Sequence, residues 1–276
     1  MASSFVRSFV TAVGESLAEP WSGCTLRDAS PSPARPAPST TATCPGAQAT
    51  LLLAYLTLER SPVTRTGLAD VLWLGSPPTG WATGLNALVS KIRALLQRVG
   101  VERMNLISSG GTLELALPPG AWVDIESALQ QVDRASGAAR RGDVAAVLPD
   151  ATAATAVLRR PFLGGIDNPW ADDVRRLLES RLYFAYELLS HGWNGQGDHR
   201  LALMVAESAI RLDALRERGH QLAIEAATAG GDPVLASHLL QRCRAVLRAE
   251  LGVEPSDATL CLVTTQAMAR ALPPLA

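Results

Sequence analysis

Residues 81–99 read WATGLNALVSKIRALLQRV, and the reading of this stretch decides the fold. Leu85, Leu88, Val89, Ile92, Leu95, Leu96 and Val99 recur at the 3.6-residue spacing of a helix with one buried stripe. The opposite face carries Thr83, Asn86, Ala87, Ser90, Ala94 and Gln97, with Lys91, Arg93 and Arg98 on its flanks. A helix that is apolar inside, small and polar outside, and edged by cations fits a DNA major groove. Just upstream, residues 64–73 (TRTGLADVLW) predict a shorter helix with Thr64 as N-cap and Leu68, Val71 and Leu72 as its inner edge. The run GSPP at 75–78 separates the two helices. Downstream, Leu113, Leu115 and Leu117 alternate with polar or small residues behind Gly110-Gly111, the pattern of a two-stranded hairpin. Helix, turn, helix and hairpin make a winged helix-turn-helix. An amphipathic helix followed by a hairpin also occurs in many small α+β domains, where flanking cations only solvate a face. Periodicity alone leaves both readings open.

Working outward, AQATLLLAYLTLER at 47–60 has the apolar density of a buried helix, closed by Ser61-Pro62. Before it, Phe5 to Val13 alternate as one strand would, and residues 30–43 (SPSPARPAPSTTAT) are a low-complexity linker or extended arm. Beyond Pro118-Pro119-Gly120 the pattern turns all-helical. Helices are predicted at 124–140, 143–158, 169–191, 198–212, 215–230, 233–251 and 256–271, with glycine breakers between most of them. In the joint LGVEPSD at 251–257, Gly252 suits the left-handed residue that ends a helix, and Ser256 suits the cap of the next. The last helical pairs have the look of hairpins stacked in series, as in tetratricopeptide arrays. Trp170, Leu177, Leu182 and Leu189 are expected to pack inward there, and Trp73 in the first domain. The predicted fold is thus mainly α: a poorly ordered arm at 1–43, a winged helix-turn-helix at 44–120, and an all-α tetratricopeptide-like domain at 121–272.

Composition bounds the function. With 276 residues, the chain has room for two ordinary domains, each with its own core. Its net charge of −1 supplies no global field toward nucleic acid or anionic membrane, so any DNA contact must come from a local cluster. Lys91 is the only lysine; every other fixed cation is arginine. Cys24, Cys44, Cys243 and Cys261 show no metal-ligand spacing, which fits a reduced, cytoplasmic protein. No apolar run approaches the roughly 20 residues of a membrane span, and the N-terminus has no signal-peptide pattern. The acids and arginines at 172–181 fit helix-dipole and near-neighbour pairing rather than a paired-carboxylate active site. His191, His199, His220 and His238 lack ligand spacing, and there is no GxSxG elbow. No catalytic site, metal or cofactor is expected, and no enzyme.

Six blocks in order carry a resemblance: 45–73 (PGAQATLLLAYLTLERSPVTRTGLADVLW), 85–96 (LNALVSKIRALL), 115–126 (LALPPGAWVDIE), 160–170 (RPFLGGIDNPW), 175–189 (RRLLESRLYFAYELL) and 249–256 (AELGVEPS). Together they resemble the Streptomyces antibiotic regulatory protein family over about residues 45–272. The resemblance implies a winged helix joined to a bacterial transcriptional activator domain, in a transcription regulator of secondary metabolism. It implies binding to direct repeats of double-stranded DNA near promoters, as a homodimer or side-by-side pair, with RNA polymerase as a further partner. Some members add an ATPase module; no GxxxxGK[ST] occurs here, so no nucleotide switch is expected within this chain. The chain departs from the family at Ala47 and Ala49, and at Ser109 before the wing glycines, where arginines are common in relatives. It also has Ala87 and Leu88 where relatives often show polar residues.

Candidate DNA-binding residues are therefore Thr83, Asn86, Ser90 and Gln97 toward base edges and Lys91, Arg93 and Arg98 toward phosphates, with Arg65 a further available cation. Ser109 and Gly110 stand at the wing tip. The missing arginines leave three alternatives: weak DNA binding, dependence on a partner, or a helical interaction module whose winged helix no longer binds DNA. Because the Pro/Ser/Ala segment has too little apolar area to offset its ordering entropy, limited proteolysis should cut within 30–43 before anywhere in 45–272. Protection there equal to that of the core would refute the linker reading.

Overall fold

A computed structural model of the chain describes residues 46–98, 105–117 and 121–263. The arm at 1–43, its candidate strand and linker, and the end of the last predicted helix lie outside the described residues. The described chain divides into two units: one formed by residues up to Asp124 together with Pro161–Arg175, the other by Ile125–Arg160 and the residues from Arg176 onward. Residues 161–175, which the sequence reading places in the helical domain, thus group with the first unit.

The first unit opens with α1 (Ala47–Glu59), the short strand β1 (Val63–Thr64), α2 (Arg65–Leu72) and α3 (Trp81–Arg98). It continues with the wing strands β2 (Asn105–Ser109) and β3 (Thr112–Ala116). Helix α1 is buried almost all round, from Ala49 to Ala54 and again at Leu56 and Thr57. Its buried hydroxyls are satisfied within the helix: Thr57 Oγ1 donates to Leu53 O at 2.7 Å and Thr50 Oγ1 to Gly46 O at 3.0 Å. Thr64 caps α2, as its sequence position predicts, accepting from Gly67 N at 3.1 Å. The sheet has three antiparallel strands in the order β1-β3-β2, one more than the predicted hairpin. β1 pairs Val63 with Leu113 and Thr64 with Thr112. Two residues carry no readable period, so this strand is invisible before the hairpin is folded.

Residues 161–175 clasp the first unit. Asn168 donates from Nδ2 to Val71 O at 2.8 Å, while its Oδ1 accepts from the backbone N of Trp170 at 3.1 Å and of Ala171 at 3.4 Å. The Trp170 ring lies 4.9 Å from that of Tyr55 and 5.9 Å from that of Phe162, and its Nε1 donates to Glu59 Oε1 at 3.1 Å. Arg175 holds the turn by donating to the carbonyls of Phe162, Leu163 and Ile166 at 3.0, 2.8 and 2.7 Å. Trp170 is therefore an anchor of the winged-helix unit rather than of the helical array.

The second unit is built from α4 (Asp124–Arg140), α5 (Val144–Leu158), α6 (Pro169–Gly195) from Arg176 on, α7 (His199–Leu212), α8 (Glu217–Ala229), α9 (Pro233–Leu251) and a helical stretch at 257–263. A Gly-Asp pair recurs at 142–143, 197–198 and 231–232, and each copy makes the same turn. The glycine is left-handed (φ 74, 81 and 78°), and the next backbone N–H returns to the carbonyl five residues back. The aspartate side chain then accepts from the N–H three residues on, at Ala146, Leu201 and Leu235. Successive helices fold back on one another through these turns in a tetratricopeptide-like series. The shared core holds Ala206, Ile210, Leu222, Ile224, Ala236 and Leu239. Close approach is built in at Gly192, where a Cβ would lie 2.8 Å from Leu148 Cδ2. Leu182 and Leu189 are buried as expected; Leu177 is not, being half exposed. Gly252 ends α9 with φ 69°, and Glu217 Oε1 accepts from Ser256 N, Ser256 Oγ and Thr259 Oγ1, fixing the 257–263 helix on α8.

His220 is buried in this unit. One ring nitrogen, Nε2, lies 3.0 Å from Ala214 O, and Nδ1 has no hydrogen-bond partner. Burial pushes its pKa below the usual histidine value; Arg242 pushes the same way, against the bond to Ala214 O and the charges of Glu207 and Glu217. A pKa depressed in the folded state contributes stability that is complete above the unfolded value near 6.5 and is lost as pH falls toward the folded value. The urea midpoint of the wild type should therefore drop more between pH 7.5 and 5.5 than that of His220→Gln. Equal drops would show that His220 gains its proton without penalty.

Candidate nucleic-acid interface

Helix α3 separates its two faces as the sequence predicts. Leu85 and Ile92 are wholly buried, and Leu88, Val89, Leu95 and Leu96 nearly so. Thr83, Asn86, Ala87, Ser90, Lys91, Ala94 and Gln97 are exposed along the other side, with Arg93 exposed on the flank. The Trp73 ring packs beside the first turn of α3, where a Cβ on Gly84 would meet it at 3.5 Å. Between α2 and α3 the chain reverses through Leu74 and Gly75, both with positive φ, and Gly75 N donates to Asp70 O at 2.8 Å.

The wing stands beside this helix. Its two-residue tip, Gly110-Gly111, has φ 57° and 80°, the left-handed pair that matches strand twist in a tight hairpin. Ser109 and Gly110 are exposed at the tip, where Ser109 O accepts from Thr112 Oγ1 at 2.7 Å. Ile107, paired with Glu114 across the hairpin, is 44% exposed, a large apolar side chain that the wing holds toward solvent.

Two side-chain bonds and one backbone bond tie these parts together, and none of them is visible as a periodicity. Arg93 Nη2 donates to Leu106 O at 2.9 Å, so this cation anchors the wing to α3. Arg65 Nη2 donates to Asn86 Oδ1 at 2.5 Å, joining the start of α2 to the outward face of α3. Arg65 N also donates to Gly111 O at 3.0 Å, which places the start of α2 next to the wing tip. Ser90 Oγ donates to Asn86 O at 3.0 Å, one turn back along its own helix. Thr83, Asn86, Ser90, Lys91 and Gln97 are thus brought to one surface, while the side chain of Arg98 lies outside the described residues. Read as one more cation in the sequence, Arg65 becomes in the structure a direct neighbour of Asn86.

The helical unit offers a different kind of concavity, an open groove of about 570 Å³ lined by residues that include Gln196, Asp198, His199, Arg200 and Asp232. Asp198 and Asp232 are engaged as helix caps, and His199 Nδ1 lies 2.6 Å from Asn194 Oδ1. No nucleophile–base pair converges there. Among the described residues no cluster of three or more His, Cys, Asp or Glu side chains is arranged to hold a metal, and no helix is long and apolar enough to cross a membrane.

Comparison with known proteins places this architecture. The sequence profile of the bacterial transcriptional activator domain matches residues 123–264. Regulatory protein AfsR of Streptomyces coelicolor is 30% identical over 210 residues, covering 75% of this chain and 20% of its own length. The chain therefore spans about a fifth of that curated relative. Among solved structures, Mycobacterium tuberculosis EmbR in complex with a low affinity phosphopeptide superposes with a TM-score of 0.74 at 19% identity. That match covers 84% of this chain and 62% of the other, and at this identity it shows a shared fold alone. The profile spans half of the chain, and with the order of its sequence blocks it makes the chain a member of the bacterial transcriptional activator domain family, a transcription regulator of the Streptomyces antibiotic regulatory protein type.

Proposed function

We propose that this chain is a DNA-binding transcriptional regulator that places α3 in the major groove of double-stranded DNA near a promoter. The observation that carries this reading is the outward face of α3. Thr83, Asn86, Ser90, Lys91 and Gln97 are all exposed on one side of a helix whose other side is fully buried, with a glycine-tipped wing tied alongside by Arg93. Polar side chains of this size reach base edges, and the Lys91 ammonium reaches phosphates. The wing tip at Ser109 and Gly110 reaches the neighbouring backbone through its exposed main chain. The helical unit serves dimerisation or contact with RNA polymerase, for which its exposed apolar side chains Met204, Val234 and Leu251 are available. Such a protein works in the cytoplasm and on the nucleoid when bound.

The test is fluorescence anisotropy on duplexes taken from genomic footprinting, at several salt concentrations. With few cations at the surface, the log–log salt slope should be shallow, roughly −2 to −4 per monomer. Lys91→Ala should weaken binding to all sequences and flatten the slope by about one unit. Arg93→Ala should behave differently, because its guanidinium holds the wing. Losing one charge-assisted bond worth about 1 kcal/mol at an exposed site should speed amide exchange across 105–116 about fivefold, an effect absent from Lys91→Ala. If the wild type shows no salt-dependent binding to any duplex, alone or with RNA polymerase, the reading fails and the helical interaction module takes its place.

A further inference from the structure

Arg65 and Asn86 are 21 residues apart in sequence and 2.5 Å apart in space. A guanidinium has donors only, so the Asn86 carboxamide must turn its oxygen toward Arg65, which leaves the Nδ2 end facing away. Arg65 is held from two sides. Thr64, its neighbour, caps α2 through Gly67 N, and its own N–H donates to Gly111 O at the wing tip. Asn86 is held as well, since its backbone carbonyl accepts from Ser90 Oγ in the turn below.

Resting on the DNA-binding reading, we propose that Arg65 is a specificity-determining residue. By engaging the Asn86 carboxamide oxygen, it converts the pair into a donor-rich head that favours guanine. A free asparagine offers one acceptor and two donor hydrogens, the complement of adenine N6 and N7. With one of its two lone pairs taken by a cation, the oxygen is a poorer acceptor and that complement is weakened. The Nδ2 hydrogens and the remaining Arg65 N–H groups are left as donors, and guanine is the base whose major-groove edge presents two acceptors, N7 and O6. Adenine sets its N6 amino group against these donors, and cytosine does the same with N4. Thymine presents a single acceptor beside a methyl group.

The test is affinity selection from a random duplex library with the full chain, Asn86→Ala and Arg65→Ala, at one salt concentration. Asn86→Ala identifies the base position that Asn86 reads, as the one whose preference disappears. At that position the wild type should favour guanine over adenine by about fivefold or more. Arg65→Ala should bring adenine level with guanine or above it. Without any DNA, the Asn86 side-chain amide resonances should move on Arg65→Ala. An unmoved resonance, an adenine preference in the wild type, or a guanine preference that survives Arg65→Ala each overturns this proposal and leaves DNA binding standing. Failure of the wild type to enrich any sequence sinks the DNA-binding reading and this proposal with it.

Discussion

The candidate surface depends on one constraint, the burial of the apolar stripe of α3. Leu85, Leu88, Val89, Ile92, Leu95 and Leu96 are each worth roughly 1.5–3 kcal/mol when removed from water. Turning the helix by one residue position would expose part of that stripe and push Asn86 or Lys91 toward α1, with no partner there for an amide or an ammonium. No surface interaction approaches that cost. The outward face is therefore fixed by the inward one, and the wing bonds from Arg65 and Arg93 only refine a geometry the core has already set.

How much of this is legible in the sequence follows from which interactions leave a period. The stripe of α3, the cap at Thr64, the wing glycines and the helices of the second unit all repeat or punctuate at fixed offsets, so they can be read directly. Leu177 misleads because a leucine beside a buried stripe scores as core, whereas it sits one position round the helix and is half exposed. The Gly-Asp turns at 142, 197 and 231 are a repeat signal plainly present in the sequence; noticing the pair, rather than the glycine alone, identifies both the end of one helix and the cap of the next.

Contacts between residues distant in sequence are of another kind. Strand β1 needs β3 to exist. The clasp of Asn168, Trp170 and Arg175 on the first unit, and the meeting of Arg65 with Asn86, join residues whose spacing has no local meaning. The cations show this most clearly. Counted in sequence, Arg65, Lys91 and Arg93 are three equivalent charges; folded, one engages an amide, one engages a carbonyl of the wing, and Lys91 stands exposed on the outward face.

That division of labour bears on how such a surface would work. With a net charge of −1, and with Arg65 and Arg93 engaged within the protein, the electrostatic part of any DNA affinity would be small for a single chain. A guanidinium held in place loses little further freedom on binding, so what such a site would give up in counterion release it would gain in orientation. Affinity for DNA would then have to come from elsewhere. On the proposed reading a second copy on an adjacent repeat would supply it most directly, because each bound chain would raise the effective concentration of its neighbour without adding a cation to either. A weakly charged but rigid reading face is thus better suited to a regulator that acts in pairs than to one that must hold a promoter alone.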